Sequence, residues 1–89
     1  MTYEEILIKA AEDVVREIVL EEYKTSTKYF TRTVYFARSP LPFTQEQISD
    51  MPCNFYSVLK KVLEDNDYTL VKYRYSKETP VTFDCKTKY

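Results

Sequence analysis

The side chains of this 89-residue chain that could do acid–base or nucleophilic work are chiefly fourteen carboxylates, nine phenols and two thiols, with no His beside them. Two carboxylates sharing a site could split acid and base roles. A thiol next to an imidazole could attack a carbonyl. Neither arrangement is written here. Asp50, Glu64, Asp65, Asp67 and Asp84 fall at caps, helix ends or outward strand positions, where capping and solvation account for them. Cys53 and Cys85 lie far apart and match no redox or metal motif. Two Cys without His cannot build an ordinary four-ligand zinc site. Gly is also absent, which removes the glycine-rich phosphate loop and the dinucleotide fingerprint. The chain therefore reads as a non-enzyme with no cofactor and no metal. Both thiols are expected to be buried, as free Cys usually is. A disulfide between them would need an oxidising or hyperthermophilic setting.

What remains is binding chemistry. Tyr buries area at low entropic cost and is enriched at interface hot spots, and 16% of this chain is aromatic. Net charge is −1, so bulk electrostatics pull it toward neither nucleic acid nor anionic lipid. The charge is nevertheless segregated. Residues 1–23 hold seven acids against Lys9 and Arg16, whereas residues 24–43 hold Lys24, Lys28, Arg32 and Arg38 with no acid. The same contrast returns at lower amplitude between 44–66, which is acidic, and 67–89, which is basic. Helices are expected to be acidic and strands basic.

Those residues must be positioned by one domain spanning 1–89, the size at which a single core buries roughly 65% of the unfolded surface. Apolar residues at Tyr3, Ile6, Leu7, Ala10, Ala11, Val14, Val15, Ile18 and Val19 recur at three and four, predicting a helix over about 2–23. Thr2 and Glu5 form a capping box at its start. Residues 29–38 alternate as a strand, with Phe30, Arg32, Val34 and Phe36 on one face and Tyr29, Thr31, Thr33 and Tyr35 on the other. The Pro residues of Ser39-Pro40-Leu41-Pro42 end it. Thr44 and Gln47 make a second capping box, with Phe43 placed to staple onto Ile48. Pro52 is expected to divide the next stretch into a helix over 45–51 and another to about Asp65, ended by a left-handed Asn66.

Tyr68 to Tyr75 reads as a strand, with Val71, Tyr73 and Tyr75 opposite Lys72 and Arg74. A turn over 76–80 leads to a last strand, in which Val81, Phe83 and Cys85 face away from Thr82, Asp84 and Lys86. The tail, Thr87-Lys88-Tyr89, is expected to fray. The fold class is α+β: a long N-terminal helix, two further helices and a three-stranded antiparallel sheet, in the order α-β-α-α-β-β.

That order resembles the winged helix-turn-helix family. Phe43-Thr44-Gln45-Glu46-Gln47-Ile48 is similar to the start of that family's second helix, 54–63 to its recognition helix, and 68–86 to its wing strands, with Lys77-Glu78-Thr79-Pro80 at the wing tip. The resemblance implies a transcriptional regulator that docks on double-stranded DNA. Its contacts would be Asn54, Ser57, Lys60 and Lys61 on the helix and Lys72, Arg74 and Lys77 near the wing. Yet the exposed start of that helix, Cys53, Asn54, Tyr56 and Ser57, offers no Arg or Lys for guanine.

Protein docking is accordingly the first expectation: a regulator or inhibitor that sits on a larger protein through Tyr29, Arg32, Tyr35, Tyr56 and Tyr75. The composition also resembles that of small accessory proteins of phages and viruses. An acidic start and no apolar run of membrane-spanning length point to a cytoplasmic location and no membrane partner. Apolar residues off the main stripe of the first helix, such as Ile8 and Leu20, suggest a homodimer through it.

Overall fold

Two capping boxes set the starts of two helices. The Thr2 hydroxyl accepts the Glu5 N–H at 3.2 Å, and the Thr2 N–H reaches back to Glu5 Oε1 at 3.4 Å. Thr44 and Gln47 repeat the exchange at 3.1 and 3.0 Å. The structure is a computed structural model that describes residues 2–35, 44–75 and 81–89. Phe36, Arg38, the Ser39-Pro40-Leu41-Pro42 stop, the Phe43 staple and the 76–80 turn with Lys77 lie outside the described residues.

The elements run α1 (Tyr3–Thr25), β1 (Tyr29–Val34), α2 (Gln45–Asp65), β2 (Tyr68–Arg74) and β3 (Val81–Thr87). The fold is α+β, with a long first helix and one three-stranded antiparallel sheet in the order β1-β3-β2. β1 and β2 both run antiparallel to β3, so they are parallel to each other, with β3 inserted between them. Both helices cover the inner face of this sheet. Leu7, Ala11, Val14, Val15 and Ile18 of α1 meet Met51, Phe55, Leu59 and Leu63 of α2 over Phe30, Val34, Tyr68, Val81, Phe83 and Cys85. Burying each large apolar side chain contributes roughly 1.5–3 kcal/mol.

α2 corrects the expected break at Pro52: one helix runs through it. Pro52 has no N–H to give the Ile48 carbonyl, a defect costing about 3 kcal/mol in a helix interior. The defect is offset because Met51, Phe55, Leu59 and Leu63 recur every four residues on one buried stripe, which a break would split. The Pro52 carbonyl in turn accepts the Tyr73 hydroxyl at 2.6 Å. The order is therefore α-β-α-β-β.

Three smaller expectations are also corrected. The left-handed residue after α2 is Asp67 (φ 66°), whereas Asn66 stays at φ −109°. The Asn66 side-chain amide bonds the Val62 carbonyl at 2.8 Å, and the chain reverses one residue later. In β2 the pairing register shifts between Leu70 and Lys72, a bulge that takes Val71 off the Tyr73 face and leaves it 42% exposed. The C-terminal tail is held. Thr87 is part of β3 and buried, the Lys88 N–H bonds the Asp67 carbonyl at 3.0 Å, and Lys88 Nζ pairs with Glu64 at 2.7 Å.

Candidate functional site

The outer face of the sheet is built by period-two alternation, and its residues fall into rows across the three strands. Tyr29, Lys86 and Thr69 form one row; Thr31, Asp84 and Lys72 the next; Thr33, Thr82 and Arg74 the third. Tyr29, Thr31, Thr33, Lys72, Arg74 and Lys86 are exposed, and none of the described elements covers them. Tyr35 follows β1 on the Tyr29 side by alternation and is 65% exposed. It borders a groove between β1 and α1 that Asp13 and Glu17 also line.

Asp84 departs from its expected outward, solvated position. It lies on the outer side but only 7% of it is exposed. The Tyr29 hydroxyl donates to Asp84 Oδ2 at 2.8 Å, and Arg74 approaches Oδ1 at 3.4 Å. The Tyr29 bond, with help from the Thr31 hydroxyl and the charges of Arg74 and Lys72, holds the Asp84 carboxyl below the usual carboxylate range against its desolvation. The same bond pushes the Tyr29 phenol up. Among the described residues the face thus carries three cations and a single carboxylate that is already engaged. An Asp flanked by alternating buried residues in mid-strand is the signal that could have marked it, since Asp is depleted from strands.

The remaining expected docking residues lie elsewhere. Arg32 is on the inner side of β1, where it pairs with Glu21 of α1, bonds the Thr31 carbonyl at 2.8 Å and stands over the Phe30 ring at 5.7 Å. It clamps α1 to the sheet. Tyr56 and Tyr75 meet at the α2–β2 seam, both packing edge-on to Tyr73, with ring centroids 5.0 and 5.9 Å apart. Desolvation pushes the Tyr73 phenol well up. Cys53 belongs to this cluster: it is exposed, not buried as expected, and its Sγ lies 3.1 Å from the Tyr75 hydroxyl. Cys85 is buried, and both thiols are free.

The residues expected to contact DNA divide among separate surfaces. Asn54 donates to the Tyr3 hydroxyl at 3.0 Å and, with Ser57, lines a groove between α2 and α1. Lys60 and Lys61 are exposed but adjacent in sequence, so their side chains leave α2 about 100° apart. Lys61 continues the Asn54–Ser57 side, and Lys60 continues the Tyr56 side. Lys72 and Arg74 are on the far face of the sheet, and Lys77 is outside the described residues.

Among the described residues, no group of three or more His, Cys, Asp or Glu side chains could hold a metal ion, and no helix is long and apolar enough to cross a membrane. Comparison with protein-family models, with curated proteins and with solved structures finds no match to this chain.

Proposed function

We propose that this chain is a small non-enzymatic binding protein that acts as a regulator or inhibitor by laying the outer face of its sheet on an acidic surface of a larger protein. One observation carries the reading. On a chain of net charge −1, the described part of the sheet's outer face gathers Lys72, Arg74 and Lys86 around Tyr29, while the one carboxylate described there is spent on Tyr29 and Arg74. Such a face steers a negatively charged partner into contact. Its phenol rings then supply the rigid, half-polar area that interface centres favour. Tyr56 and Tyr75 sit on the flank of the same sheet and would serve a partner that wraps around its β2 edge.

Double-stranded DNA has less support as the partner. A helix-turn-helix docking needs a turn near Met51-Pro52, where α2 is continuous, and its expected contacts lie on different faces. The two readings separate by anisotropy of labelled single- and double-stranded DNA at low and at physiological salt. Binding near micromolar that falls steeply with salt would move the assignment to nucleic acid. No binding at low salt, together with a protein partner that is retained by wild type but lost by Lys72→Glu/Lys86→Glu, is the result expected here. A partner retained unchanged by that double variant and by Tyr35→Ala would place docking on another surface.

A further inference from the structure

α1 has a second ordered stripe, offset from the one it buries in the core; at Ile8, Glu12 and Arg16 it borders the grooves between α1 and α2. Glu5, Ile8, Glu12, Arg16, Leu20 and Tyr23 are all exposed. They follow one another at intervals of 3, 4, 4, 4 and 3 residues, which average the helical repeat of about 3.6 and keep them on one side of α1. The intervals read the same in both directions about Val14. The chemistry is complementary about the same point: an acid, an aliphatic and an acid on one half stand against a phenol, an aliphatic and a base on the other.

From this pattern we infer that α1 is a homodimer interface, with the stripe packing antiparallel on the same stripe of a second copy across a two-fold axis level with Val14, which itself faces the core. Each residue then meets a suitable neighbour. Ile8 lies opposite the second copy's Leu20, Glu12 opposite its Arg16, and Glu5 opposite its Tyr23, and symmetry makes every pairing twice. A parallel pairing would set Glu12 against Glu12 and Arg16 against Arg16. Arg16 is poised for the antiparallel form: its side chain is 71% exposed, held only by Asp13 at 3.6 Å on its own helix. Of the acids on α1, Glu12 and Glu5 are on the stripe and are used by this pairing, Glu5 while also holding the Thr2 N–H, whereas Glu21 and Glu22 are engaged with Arg32 and Lys28. Ile8 and Leu20, 43% and 52% exposed, gain cover they lack in a single chain. The dimer lies on the helical side of the molecule and leaves both outer sheet faces open, so it stands independently of the docking reading.

Sedimentation equilibrium over a wide concentration range tests it. A single helix pair of mixed polarity predicts a dissociation constant on the order of 10 µM. Arg16→Glu and Glu12→Arg, each made alone, place like charges across the axis and raise that constant by at least about tenfold. Mixed in equal amounts, the two variants complement each other and associate as a heterodimer with near wild-type affinity. Both positions are exposed, and unchanged far-UV circular dichroism and melting confirm that the variants fold. A wild-type chain that stays monomeric to about 1 mM, far above the expected dissociation constant, overturns the inference. Single variants that self-associate as wild type does, or a mixture that fails to associate, overturn this register and axis.

Discussion

The Tyr68 hydroxyl donates to Glu22 Oε1 at 2.5 Å, tying the first residue of β2 to the last turns of α1. Tyr68 is fully buried at the ring and edge-on to Phe30, so its hydroxyl has one place to go. Glu22 also accepts Tyr89 at 3.3 Å and Lys28 at 3.5 Å. Three donors from separate stretches of the chain therefore converge on one carboxylate, and the C-terminal residue is among them.

This carboxylate makes stability depend on acid. The Tyr68 bond, then those of Tyr89 and Lys28, hold the Glu22 pKa below its ordinary 4.5 against the opposing effect of desolvation. A depressed folded-state pKa means that the unfolded chain binds the proton more readily. The stabilisation is complete above about 4.5 and is lost as pH falls through the lower folded value. Glu64, held down by Lys88, and Asp84, held down by Tyr29, act in the same direction. Tyr68→Phe should cost about 1.5–3 kcal/mol at pH 7, as expected for a hydrogen bond to a charged group. Urea unfolding at pH 7 and again at pH 3 checks this, and the difference between variant and wild type should shrink in acid. Equal differences at both pH values would show that the cost of Tyr68→Phe is packing and not the carboxylate bond.

Pro52 leads to a gain of stability. Its ring interrupts the hydrogen-bond ladder of α2 at an interior position, while the acceptor role of its carbonyl toward Tyr73 belongs to the backbone and survives substitution. Pro52→Ala restores the missing donor and should raise stability by about 1–2 kcal/mol, less than the full helix-propensity difference because the unfolded chain also gains freedom. Thermal unfolding reads the sign directly. A lower melting temperature would mean that the proline ring itself contributes packing or rigidity that outweighs the missing hydrogen bond.

Local signals in this sequence were legible where local physics decides. Both capping boxes form, and the alternation of β1 and β3 sorts Phe30, Val34, Phe83 and Cys85 inward and Tyr29, Thr31 and Lys86 outward. The misreadings arise where packing overrules a local preference. Pro52 is a breaker held inside a helix by the residues on either side of it. Val71 is an apolar residue displaced by a bulge. Lys88 and Tyr89 look like a loose end until Asp67, Glu64 and Glu22 arrive from elsewhere in the chain. The same division runs through the proposed docking surface. Tyr29, Lys72, Arg74 and Lys86 share a face that alternation alone indicates, although the bulge resets its phase midway along β2. The grouping of Tyr56, Tyr75 and Cys53 around Tyr73 exists only because α2 lies on β2, and no spacing in the sequence announces it.

The two thiols should differ sharply in reactivity. Cys53 is exposed on α2, whereas burial pushes the Cys85 thiol up to about 11. The thiolate is the reacting species. At pH 8 a disulfide reagent should therefore modify Cys53 readily and Cys85 only as fast as the chain unfolds. Mass spectrometry of the native protein should show a single adduct, mapped to Cys53, with the second appearing in denaturant. Two adducts at similar rates would mean that β3 opens far more easily than its burial implies.

Asp84 is the carboxylate on the proposed docking face, and if that face binds an acidic partner, removing the charge should strengthen the contact. Asp84→Asn keeps the shape, and its side-chain oxygen can still accept the Tyr29 hydroxyl, but Arg74 loses its ionic partner. The sheet face becomes more positive by one unit at its centre. An acidic partner should then associate about two- to tenfold faster at low salt, with the advantage fading at high salt as screening takes over. The expected change is in the association rate, since the Tyr and Lys side chains proposed to make the contacts surround Asp84 and remain. Stopped-flow mixing with the partner at two ionic strengths separates the cases. A slower association in Asp84→Asn would mean that the Tyr29–Asp84–Arg74 array is needed to hold the cations in position, and that its order, more than its net charge, is what a partner meets.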